Sequence, residues 1–124
     1  MRLRLRSLHG RYSIARLDPD APIPAWLRGE LTSITRTPDE LSIVCDEDAV
    51  PDGVQAERGW RALAVAGPIP FEITGVAAAL TTALAGANIS VFVMATYDTD
   101  YLLVKDEVFA RACDVLRDAG HVVD

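Results

Sequence analysis

The chain has 124 residues, half of them hydrophobic, which fits one ordinary domain or two very small ones with enough apolar side chains for a core. A formal net charge of −6 and a pI near 4.8 exclude a basic face able to release counterions from a nucleic-acid backbone, but leave room for a small cationic or zwitterionic ligand. The two cysteines, Cys45 and Cys113, are too few for a disulfide framework and belong to no CxxC or Cys/His cluster, so they read as reduced core thiols.

No apolar run approaches the roughly 20 residues that a membrane-spanning helix requires. The first residues, MRLRLRSLHGRYSI, are basic and lack the apolar stretch of a secretion signal, which points to a cytoplasmic protein without membrane contact. Their Leu/Arg alternation has period 2 and predicts an edge strand. Arg11–Leu17 alternates again and predicts a strand, which the three prolines of Asp18–Pro24 stop. Ala25–Arg28 has room for a short helix. Leu31–Arg36 and Leu41–Cys45 flank Thr37–Glu40, where Pro38 favours a type I turn, so the pair predicts a hairpin. Asp46–Glu57 is acidic, contains proline and glycine, and reads as a loop or linker.

The second half is more regular. Trp60–Ala66 predicts a strand and Gly67–Ile73 a stiff loop. Thr74 is placed to cap a helix over Gly75–Ala85, with Val76, Leu80 and Leu84 on one stripe and Gly86 just past its end. Ile89–Ala95 and Tyr101–Lys105 predict strands joined by the turn TYDTD, and Asp106 can cap a helix over Glu107–Ala119. Gly120 ends that helix before a terminal strand, His121–Val123. The order β-α-β-β-α-β is the ferredoxin-like unit, with two helices on one face of a four-stranded antiparallel sheet and something else needed over the other.

SITRTPDELSIVCDE and FVMATYDTDYLLVKDE follow one plan, with Thr37 matching Thr96, Asp39 matching Asp98, and Val44 matching Val104 after one inserted turn residue. The architecture expected is α+β, with two ferredoxin-like modules in tandem, 1–57 and 58–124, the first degraded by short or missing helices.

Gly67-Pro68, Phe71-Glu72-Ile73-Thr74-Gly75-Val76, Leu84 to Phe92 and Ala95 to Lys105 match in order the pattern of an ACT domain. The chain resembles in particular the tandem-ACT proteins of the CASTOR type, including their small bacterial members, over nearly all of residues 60–120. Ile23–Leu27 and Thr37–Val44 resemble the amino-terminal module of that type. One departure is Ala95, where a serine is expected before the threonine. The resemblance implies regulatory binding of a small molecule, usually an amino acid, at an interface between modules. It implies no catalysis and no cofactor.

The residues support the same chemistry. An α-amino acid needs donors for its carboxylate and acceptors for its ammonium. Ile73, Thr74, Gly75 and Val76 form a helix N-terminus with free N–H groups and partial positive charge, and Gly75 admits close approach to the backbone. Asp98 and Asp100 supply acceptors for charge-assisted bonds. With Glu72 nearby, these acids favour a basic amino acid. The plainer alternatives are a turn-bonding Asp98, a Gly75 that only permits packing, and Tyr97 and Tyr101 as sheet-edge residues rather than a cation–π cage. No phosphate loop, nucleophile motif or metal spacing is present, and His9 and His121 have no evident catalytic partner, so no catalytic or metal residue is assigned. The competing function is a structural or partner-binding protein without ligand. A protein partner and self-association through exposed strand edges are both compatible with the sequence.

Overall fold

The computed structural model describes all 124 residues. Two compact units divide the chain: Met1–Leu8 together with Arg61–Asp124, and His9–Trp60. This differs from a division at 1–57 and 58–124 in two places: Met1–Leu8 pack with the later part of the chain, and Arg58–Trp60 belong with His9–Glu57.

The first unit contains β1 (Arg4–Ser7), the end of β5 (Gln55–Val65), α1 (Val76–Gly86), β6 (Phe92–Ala95), β7 (Asp100–Lys105), α2 (Asp106–Asp118) and β8 (Val122–Val123). Its strand order is β6-β7-β5-β1-β8. β1 runs antiparallel to β5, with Leu5 opposite Val65, and parallel to β8, with Leu5 opposite Val123. The sheet therefore has five strands rather than the expected four, and β1 is internal rather than an edge. Leu5 explains the difference: it is fully buried and joins Leu63, Val65, Leu102 and Val104 on the face covered by the helices. Val76, Leu80 and Leu84 of α1 and Ala112, Cys113 and Leu116 of α2 complete this core. The expected helical stripe is thus the buried one.

Both helix starts differ from expectation. Gly75, at φ +84°, is the N-cap of α1, and no side chain caps the helix, so Thr74 is not the cap. A glycine in the left-handed region turns the chain sharply into the helix, which leaves Thr74 outside the capping position. Asp106 is the first residue of α2 rather than its cap; Lys105 holds that place in extended backbone. At the end of α1, Gly86 is still helical and Asn88 takes the left-handed position at φ 59°. Asn88 N–H donates to Ala85 C=O at 2.9 Å and Ile89 N–H to Leu84 C=O at 3.0 Å, a Schellman closure that Asn tolerates nearly as glycine does. Gly120, at φ +101°, closes α2 in the same way.

The second unit contains β2 (Tyr12–Leu17), β3 (Ser33–Arg36), β4 (Leu41–Asp46), one 3-10 turn (Glu47–Ala49) and the beginning of β5, in the order β3-β4-β2-β5. The expected hairpin is β3–β4, with Ile34 opposite Ile43. Ala25–Arg28 is not helical. Pro22 and Pro24 precede it, and Gly29, at φ +145°, follows; Trp26 and Leu27 instead lie against Ala15, Leu41, Ile43 and Cys45. Gln55–Glu57, expected in a loop, is strand: Gln55 and Glu57 point to solvent while Ala56 packs on the core. The pairing of β5 with β2 is broken by a bulge between Tyr12 and Ile14, beside Gly59 at φ +82°.

The two hairpin turns share one hydrogen-bond scheme. Thr37 N–H donates to Glu40 C=O at 2.9 Å, and its Oγ1 accepts from Glu40 N–H at 3.2 Å. Thr96 N–H donates to Thr99 C=O at 2.8 Å, and its Oγ1 accepts from Thr99 N–H at 3.2 Å. The following strands begin at Leu41 and Asp100, the same step beyond each threonine, so no residue is inserted in the later turn and Val44 corresponds to Leu103 rather than Val104.

Candidate functional site

The segment Gly67–Gly75 leads from β5 to α1 and passes beside the β6–β7 turn. Ile69 N–H donates to Asp98 C=O at 2.7 Å, and Thr99 Oγ1 donates to Val65 C=O at 2.6 Å. Gly67 is packed so closely there that a Cβ would lie 3.0 Å from Asp98 O. These contacts fix the turn against the loop.

A cavity of about 300 Å³ lies between them. Gly75, Val76 and Ala77 at the start of α1 form one wall and Thr96, Thr99 and Asp100 another. The N–H groups of the first helical turn precede the intrahelical ladder, and no acidic residue or capping side chain occupies that end. The cavity therefore offers donors and partial positive charge on one side and a half-buried carboxylate, Asp100, on the other. Ile69, Pro70, Phe71, Ile73, Ala95 and Tyr97 supply the rest of its lining. Phe71 and Tyr97 meet edge to face, with ring centroids 4.9 Å apart at 80°.

The structure brings together four of the six expected site residues, Ile73, Gly75, Val76 and Asp100. Thr74 is exposed and does not line the cavity. Asp98 lines not this cavity but a second one of about 440 Å³, with Arg4, Arg6 and Asp124. The two aspartates that the sequence sets one residue apart thus line different cavities, although Thr96 and Thr99 border both. The same geometry parts the tyrosines: Tyr97 lines the first cavity and Tyr101 the second, so they form no common cage. Sequence reasoning passed over Phe71 and Thr99. Their signals were a large aromatic in a proline-rich loop and a second threonine within the turn.

The remaining titratable groups with shifted equilibria lie outside this cavity. Burial pushes the Cys45 and Cys113 thiols up, so both stay protonated. His121 is buried, and its Nδ1 accepts a hydrogen bond from Leu3 N–H at 3.1 Å. Burial, with a smaller contribution from the terminal ammonium, lowers its pKa below the ordinary value of 6.5.

The ACT domain model matches residues 55–118. The chain belongs to the ACT domain family. A second family model, of an N-terminal domain, matches residues 10–53. The crystal structure of protein Atu0741 from Agobacterium tumefaciens is 41% identical, with a TM-score of 0.94 over 100% of this chain and 93% of that one. The cytosolic arginine sensor for mTORC1 subunit 1 of Bos taurus is 27% identical over 79% of this chain, which spans only 35% of that sensor. The regulatory subunit of aspartate kinase from Thermus thermophilus, 13% identical with a TM-score of 0.62, covers 90% of the chain and 93% of its own, and shares the fold. ACT domains are regulatory modules, and the helices and sheet of this ACT domain place the cavity at the N-terminal end of α1.

Proposed function

We propose that the chain is a non-catalytic sensor that binds an α-amino acid in the cavity between the start of α1 and the β6–β7 turn. One observation carries the reading: Gly75 and Asp100, far apart in sequence, line one cavity with opposite electrostatic character. The ligand carboxylate accepts hydrogen bonds from the first-turn N–H groups of α1, beside Gly75. The ligand ammonium donates to Asp100. Membership of a regulatory family and similarity to an arginine sensor support this assignment. His9–Trp60 is then a second, helix-poor module of the same ancestry, a reading supported by the shared threonine turns. Ligand occupancy would reach a partner protein, or a second copy of the chain, through contact.

The test is calorimetric titration after a thermal-shift panel of the common amino acids. A hydrogen bond to a charged group contributes roughly 1.5–3 kcal/mol. Asp100→Asn keeps shape and removes charge, so affinity is expected to fall about ten- to a hundredfold at about 1.4 kcal/mol per factor of ten, with folding nearly unchanged. Equal affinities would remove Asp100 from the site.

A specific observation also favours the second reading, a protein-interaction surface without ligand. Phe71, Ile73 and Tyr97 are 71%, 51% and 81% exposed and adjoin one another at the cavity. A flat thermal-shift panel would favour this reading over the first.

A further inference from the structure

We infer that the cavity selects an amino acid with an apolar side chain, branched or aromatic, against the basic amino acids that the acidic turn suggests from sequence. This inference rests on the ligand site proposed above and assigns the class of side chain it takes.

A basic amino acid brings a carboxylate and two cations. Among the residues lining the cavity, Asp100 alone carries a charge. Asp98 belongs to the second cavity with Arg4 and Arg6, and Glu72 is exposed and outside the lining. Once Asp100 holds the α-ammonium, no carboxylate remains for a guanidinium or a second ammonium. The threonine hydroxyls offer a cation only neutral oxygens: Thr96 Oγ1 donates to Thr99 C=O at 3.0 Å and already accepts from Thr99 N–H, and Thr99 Oγ1 donates to Val65 C=O, which leaves weaker acceptors than a carboxylate. A cationic side chain placed there would find no ionised partner.

The wall chemistry points the same way. Ile69, Pro70, Phe71, Ile73 and Tyr97 give the cavity an apolar side facing the polar Thr96, Thr99 and Asp100. Phe71 and Tyr97 are largely solvent-exposed, and an apolar side chain laid against them removes that surface from water. An aromatic face also attracts cations. Here the edge-to-face contact occupies one of the four ring faces, and a cation on a remaining, solvent-exposed face gains only a weak attraction. The volume of about 300 Å³ lies at the small end of ligand cavities and is enough for one amino acid.

The experiment titrates the full chain with leucine, isoleucine, valine, phenylalanine, arginine, lysine and glycine. At least one apolar amino acid is expected to bind at least about tenfold more tightly than arginine, lysine or glycine. Phe71→Ser should weaken that apolar amino acid about tenfold and leave the apparent affinity for glycine unchanged. Phe71→Glu supplies the missing carboxylate and should shift preference toward arginine or lysine. The exposure of Phe71 makes both variants expected to fold, which circular dichroism checks. Arginine or lysine binding as tightly as the best apolar amino acid would overturn the side-chain assignment and leave the amino-acid site standing. Apolar binding unaffected by Phe71→Ser would overturn it too, since the ligand would then lie elsewhere. No binding by any of the seven would overturn both this inference and the amino-acid site.

Discussion

At the scale of single residues, two glycines do different work. Gly75 sits at φ +84° with open space where a Cβ would go. Gly75→Ala is therefore expected to cost only the left-handed backbone strain, roughly 1–2 kcal/mol. Gly29 sits at φ +145°, and a Cβ there would lie 2.7 Å from Asp46 Oδ1 and 3.1 Å from Asp46 N. Its approach to Asp46 is held by the bond from Asp46 N–H to Arg28 C=O at 2.9 Å. Gly29→Ala should lower the urea midpoint more than Gly75→Ala, and the reverse order would refute this account of the loop. His121 makes a pH prediction. Its Nδ1 accepts from Leu3, so the folded chain needs it unprotonated, and its folded pKa lies below 6.5. The stability it contributes is full above the ordinary value and is lost as pH falls from 6.5 through the lowered pKa. Urea midpoints measured between neutral and mildly acid pH should fall in the wild type and fall less in His121→Gln.

At the scale of elements, β1 is the piece that most changes the sheet. Inserted between β5 and β8, it satisfies backbone groups on both neighbours and delivers Leu5 to the core. Leu5→Ala leaves a cavity at a fully buried position and is expected to destabilise by about 2–5 kcal/mol, measured by denaturant unfolding. A loss below about 1 kcal/mol would mean that β1 is a peripheral strand after all. The two helices are joined at their ends as well as along their stripes. Arg111 of α2 donates to the C-cap carbonyl of Ala87 after α1, and Arg61 of β5 lies 4.2 Å over the Phe109 ring while meeting Asp106 at 3.5 Å. These contacts tie the C-terminal end of α1 to α2 and the start of α2 to β5.

At the scale of the whole molecule, each unit has its own core. That of Met1–Leu8 and Arg61–Asp124 lies between helices and sheet, and that of His9–Trp60 lies between sheet and irregular segments. A ligand in the cavity is held by residues of the first unit alone. At a hundredfold its Kd, it should stabilise the folded state by about 2.7 kcal/mol. Hydrogen exchange with saturating ligand should slow most at residues 69–77 and 95–100, where the cavity lining lies. Uniform protection without a maximum there would place the ligand elsewhere.

The sequence by itself determined most elements of the second half, because local periodicity and turn chemistry are short-range: the Val76–Leu80–Leu84 stripe, the Thr96 turn and the Gly120 helix end could be read directly. It also determined the family pattern, and with it Gly75 and Asp100 as candidates. Tertiary structure alone decided what depends on pairing between distant segments. The Leu/Arg alternation of residues 2–6 marks a strand, yet whether it is an edge or internal depends on β8, more than a hundred residues later along the chain. Likewise, Asp98 and Asp100 are equivalent as letters. The surroundings of a turn residue follow from the strands and loop packed around it, and that packing lays Asp100 in one cavity with the start of α1 and Asp98 in another with Arg4 and Arg6.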